Sequence, residues 1–141
     1  MTINQIQDEI IEEYAQLDDW MDRYQLLIET GDTLPPLNNA LKVPDNLIEG
    51  CQSRVWIASQ AQGERMRFEA DSDALITKGL AALVLRVFQD QPACAIAQAR
   101  LYFIDRIGFT EHLSPTRSNG LLSMIQTIQS RARALCTALP N

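Results

Sequence analysis

The sequence predicts an α+β fold, a small antiparallel sheet of two or three strands flanked by helices. Three observations carry this prediction. Apolar residues recur at helical spacing between Ile3 and Ile28. They alternate with charged residues from Arg65 to Ala70. From Ile76 onward the helical spacing returns. At 141 residues the chain suits one core, so residues 1–141 are read as a single domain.

The elements follow in order. Ile3, Ile6, Ile10, Tyr14 and Leu17 mark a first helix. Trp20, Tyr24, Leu27 and Ile28 mark a second, with Gly31 as its expected stop. Residues 32–50 then form an irregular stretch holding Pro35, Pro36 and Pro44. Loops this long in small domains are usually functional or mobile. Val55, Trp56 and Ile57 read as a buried strand, with Trp56 in the core, and Ala61-Gln62-Gly63-Glu64 supplies a turn. In the returning strand Met66, Phe68 and Ala70 face inward while Arg65, Arg67 and Glu69 face water.

Ser72 or a neighbouring aspartate is expected to cap the next helix, whose apolar stripe is Ile76, Leu80, Leu83, Val84 and Val87. Short helical pieces follow over 92–99 and 101–108. Ser114-Pro115 opens a final long helix carrying Leu121, Met124, Ile125, Ile128 and Leu135.

Composition narrows the function. With a net charge of -6 and its basic residues scattered, the chain is not expected to bind nucleic acid. It contains no apolar run long enough to cross a membrane. The polar, acidic start does not resemble a signal peptide, so the expected compartment is the cytoplasm.

There are three cysteines, Cys51, Cys94 and Cys136, without a CxxC pair. Zinc-knuckle and thioredoxin-type chemistry are therefore unsupported. A structural disulfide is not expected in the cytosol, and Cys94 and Cys136 are read as small packed hydrophobes. Cys51 lies in GCQSRVWI, at the mouth of the first strand. A turn centred between Gln62 and Gly63 would make opposed residues sum to about 125, which brings the Cys51 loop near residues 72–75. The start of the following helix would favour a thiolate there, and Asp71 and Asp73 would oppose it. A cysteine hydrolase needs a histidine, and the one histidine, His112, reads as a capping or hydrogen-bonding group. A cluster scaffold needs several cysteines. What remains for Cys51 is a core thiol, or thiol–disulfide or persulfide exchange, which requires one thiolate and no base.

Four ordered segments, LIETGDTLPPL, GCQSRVWI, DSDALITKGLAALV and HLSPTRSNGLLSMI, resemble the SufE family over nearly the whole chain. The resemblance implies a compact SufE/IscU-like fold and a sulfur-acceptor protein that is not an enzyme on its own. Cys51 would carry the persulfide intermediate. The sulfur would come from a SufS-type cysteine desulfurase, whose turnover is stimulated, and pass to a SufBCD-type iron–sulfur scaffold. The pyridoxal phosphate belongs to the desulfurase, so no cofactor or metal is expected on this chain. A homodimer is compatible with the family. Gly50 would act as a hinge, and Gln52 and Ser53 would shape the thiol loop. Leu47 and Ile48 would line a pocket for the sulfur. Asp71, Asp73 and Arg117 match positions for partner docking, beside the plainer roles of capping and solvation. A CsdE-type partner of another desulfurase, and an interaction module with an inert Cys51, are the alternatives.

Overall fold

The computed structural model describes residues 1–140. Its element order is α1 (Ile3–Ala15), α2 (Trp20–Asp32), β1 (Val55–Gln62), β2 (Arg65–Ser72), α3 (Leu75–Phe88), α4 (Ala93–Gln98), α5 (Phe103–Arg106), α6 (Phe109–His112) and α7 (Pro115–Ala138). This is the expected α+β architecture, with the sheet at two strands.

The helices start where local chemistry satisfies their first N–H groups. Thr2 and Gln5 form a reciprocal capping box on α1, with the Gln5 side chain accepting from the Thr2 N–H at 2.8 Å. Asp19 caps α2 by accepting from the Met21 N–H at 2.9 Å. Ser114 caps α7 through the Arg117 N–H, with Pro115 in the first turn, as the sequence predicts. The cap expected on α3 differs. Its N-cap is Ala74, which makes no side-chain cap bond. Ser72 lies too early and ends β2 instead, donating its hydroxyl to the Arg54 carbonyl at 2.8 Å.

The hairpin register pairs Gln62 with Arg65 and Val55 with Ser72, offset from the expected alignment. Gly63 has φ +62° and takes the first turn position, so the turn centres on Gly63-Glu64. Tight hairpin turns require a positive φ there, which glycine adopts without strain. Val55, Ile57, Met66, Phe68 and Ala70 face the core as expected. Trp56 does not. It is half-buried on the opposite face, with the Lys42 ammonium 5.3 Å from its ring.

Both sheet edges are covered. Beside β1, the Ile48 N–H donates to the Val55 carbonyl at 2.8 Å, and Arg131 donates to the Ile57 carbonyl at 2.7 Å. Beside β2, the Gln89 side-chain amide imitates a strand, accepting from the Phe68 N–H and donating to its carbonyl. This amide stands where a third strand would pair, and it blunts that edge against another chain.

Helix α3 is the centre of the core. Nearly every residue from Thr77 to Phe88 is buried, because β2, α2, α1 and α7 all pack on it. Its crossing with α2 depends on two glycines. A Cβ on Gly79 would meet the Leu27 carbonyl oxygen at 2.4 Å, and one on Gly31 would meet the Gly79 nitrogen at 2.9 Å. Gly31 is therefore not the helix stop that its position suggests. The helix continues to Asp32, and Gly31 serves close packing.

The remaining cysteines also depart from expectation. Cys94 on α4 and Cys136 on α7 form a disulfide, with Cα atoms 4.9 Å apart. Their spacing of 42 residues gives no sign of this. Packing α4 along the end of α7 brings the two within bonding range.

Candidate functional site

Cys51 is the one free cysteine among the described residues. It follows Gly50, whose φ of +82° turns the chain sharply at the start of the thiol loop. The loop is pinned at both sides of its base. The Ile48–Val55 bond closes one side. On the other, Asp73 accepts from the Arg54 N–H at 3.0 Å and its own N–H donates to the Arg54 carbonyl at 3.3 Å.

The tip of the loop leans on α7. The Cys51 thiol points to the Gly120 carbonyl oxygen with an S···O distance of 3.7 Å. Cys51, Gln52, Ser53, Thr77, Thr116, Arg117, Gly120 and Met124 line a small, partly open cavity of about 50 Å3. Thr77 comes from the first turn of α3, and Thr116 and Arg117 from the first turn of α7. The thiol thus lies near the start of α3, as the hairpin argument predicts, and near the start of α7 as well. Burial raises the Cys51 pKa, because removing water disfavours the thiolate. The resting group is a protected thiol, not a permanently activated nucleophile.

The expected site residues divide. Gly50, Cys51, Gln52, Ser53 and Arg117 converge on this corner. Asp73 supports the loop through Arg54. Asp71 is turned to Lys42 at 3.2 Å and Lys78 at 3.7 Å. Burial works to raise its pKa, but the Ser72 N–H and the two lysines outweigh it and hold the carboxylate below its ordinary range. Leu47 and Ile48 do not line the sulfur cavity. Leu47 is exposed, and Ile48 is committed to the core beside Val55. His112 stacks on Trp20 at 3.5 Å between ring centroids and takes no part in the cavity.

Thr77, Thr116, Gly120 and Met124 complete the cavity without any motif that assigns them to it. Gly120 carries a usable signal. A glycine inside a helix costs about 1 kcal/mol against alanine, so it calls for a packing reason.

Comparison with known proteins identifies the family. A family model described as SufE, Fe-S metabolism associated domain, matches residues 8–132. The chain belongs to the SufE family. An uncharacterized SufE-like protein of Rhizobium etli is 42% identical over 136 residues, covering 93% of this chain and 92% of that protein. A second, from Rhizobium meliloti, is 42% identical over 130 residues, covering 89% and 93%. The solution structure of a hypothetical protein from Thermus thermophilus superimposes with a TM-score of 0.78 at 20% identity, covering 94% of this chain and 97% of that one. That likeness shows a shared fold. Family membership associates the chain with iron–sulfur metabolism. Among the described residues, no helix is long and apolar enough to cross a membrane.

Proposed function

We propose that this SufE-family chain is a sulfur acceptor that carries a persulfide on Cys51. One observation carries the reading. A lone thiol sits over a cavity of about 50 Å3, with no histidine beside it. That space can take an added sulfur atom beside the thiol. Persulfide exchange needs only that atom and a thiolate.

In the transfer step the Cys51 thiolate attacks the outer sulfur of a cysteine desulfurase persulfide. A new S–S bond forms on Cys51 and the old one breaks. The desulfurase thiolate leaves and takes up the proton that Cys51 gave up. No oxidant or reductant is consumed. The pyridoxal phosphate that frees the sulfur from L-cysteine belongs to the partner, and a SufBCD-type scaffold receives the sulfur. Because the resting thiol is half-buried, the loop must expose it when the desulfurase docks.

The test is mass spectrometry of the Cys51 peptide after incubation with a SufS-type desulfurase and L-cysteine. A gain of one sulfur mass on that peptide is expected. An unmodified Cys51 beside an active desulfurase would overturn the reading.

A further inference from the structure

We propose that Cys94 and Cys136 form a second thiol site, a disulfide that dithiol reductants open and reclose while the chain stays folded, with Gln129 keeping the two helices in register. This site is separate from Cys51 and does not depend on the sulfur-acceptor reading.

Access is the first observation. Cys94 and Cys136 are both half-buried, so the bond lies at the surface of the seam between α4 and α7 and not within the core. The neighbours Ala95, Ala134 and Thr137 are exposed and short. Exchange requires a thiolate to reach a disulfide sulfur, and exposed disulfides are the labile ones.

Register without the bond is the second, independent observation. At the start of α4 the Ala93 N–H donates to the Glu64 carbonyl at 2.8 Å, which ties the helix to the hairpin. At its end the Gln129 side-chain amide, from α7, donates to the Ile96 and Ala99 carbonyls at 3.1 and 2.8 Å. Between these ties Ala93 and Ile96 of α4 and Ile128 and Ala132 of α7 are fully buried. Helix α4 is therefore anchored at both ends by contacts that survive reduction. The two thiols remain neighbours, and a bond between groups already in place re-forms far faster than one between separate molecules.

In the opening step a thiolate of the reductant attacks one of the two sulfurs. An S–S bond forms between protein and reductant, the Cys94–Cys136 bond breaks, and the other cysteine leaves as a thiolate that takes up a proton. The reductant's second thiol then attacks its own sulfur in the mixed disulfide. The reductant departs as a disulfide, and two electrons and two protons have passed to the protein. A low-molecular-weight disulfide, such as glutathione disulfide, closes the pair by the reverse exchange. The covalent tie between α4 and the last turn of α7 thus follows the thiol–disulfide balance around the chain.

The experiment incubates folded wild type with reduced thioredoxin at urea concentrations below the unfolding transition. Thiols are trapped with iodoacetamide and counted on the Cys94 and Cys136 peptides, which separates them from Cys51. Both peptides should become alkylated at a rate that urea leaves unchanged, and the far-ultraviolet circular dichroism should be retained. Glutathione disulfide should then restore the bond. Gln129→Ala should reclose about fivefold more slowly, the effect of one ordinary hydrogen bond. A reduction rate that climbs with urea in step with unfolding would overturn the proposal, because the bond would then open only in the unfolded chain. So would a reduced chain that loses its circular dichroism, one that glutathione disulfide does not close, or a Gln129→Ala protein that closes as fast as wild type.

Discussion

The Cys51 sulfur rests 3.7 Å from the Gly120 carbonyl oxygen, so the thiol loop leans on the first turns of α7. This contact joins residues far apart in the chain and contributes to the shelter of the thiol.

We predict that Cys51→Ser folds normally and accepts no sulfur. The half-buried site changes little in volume, so stability should move by less than about 1 kcal/mol. A hydroxyl is a poor nucleophile at neutral pH. Desulfurase turnover measured with the variant should show no stimulation. Full stimulation would exclude Cys51 as the acceptor.

The raised pKa of Cys51 predicts a pH signature. The folded chain holds the proton more tightly than the unfolded chain. The stability it contributes is therefore present below the ordinary cysteine value of 9.0 and is lost as pH rises from there through the folded value. Urea midpoints from neutral to alkaline pH should fall more in wild type than in Cys51→Ser. Parallel curves would show that the thiol is not desolvated in solution.

The α2–α3 crossing predicts a ranked pair of variants. Gly79→Ala places a methyl 2.4 Å from backbone that cannot yield without moving a helix, whereas Gly31→Ala meets its nearest atom at 2.9 Å. Overpacking of this kind costs about 1–3 kcal/mol, and Gly79→Ala should lie at or beyond the upper end. Urea denaturation measures both. Equal, negligible losses would mean that the helices do not cross this closely.

The Cys94–Cys136 bond should be structural. Closing a loop of 42 residues stabilises by about 4 kcal/mol on the chain-entropy account. Dithiothreitol should lower the urea midpoint of wild type and leave a Cys94→Ala, Cys136→Ala variant unmoved. That variant should still accept sulfur, since Cys136 lies about 24 Å along α7 from Gly120 at the helical rise per residue. Loss of acceptance would point to coupling along α7.

Arg117 tests docking. It is exposed and forms no ion pair among the described residues, so Arg117→Glu should leave the melting temperature unchanged. Stimulation of the desulfurase should fall, most at low salt, because rim charges act on association. Asp73→Asn weakens the bond that the carboxylate accepts from Arg54 and should instead speed amide exchange across residues 49–54. A salt series that leaves Arg117→Glu indistinguishable from wild type would assign Arg117 to solvation.

Sequence alone determined the helical stripes of α1, α3 and α7, the Ser114 cap, the hairpin and the placing of Cys51 in a loop at the mouth of the first strand. Each of these is written within one segment, as a periodicity, a capping residue or a turn signal. Tertiary structure alone decided what the thiol touches. Gly120 and Thr77 come from helices far along the chain, and only the packing of α3 and α7 behind the hairpin brings them to Cys51. The same holds for Gly31 against Gly79 and for the Cys94–Cys136 bond. The physical reason is the range of the forces that write each signal. Backbone sterics and local hydrogen bonds act within a few residues. Close approach and burial depend on which faces the whole core brings together.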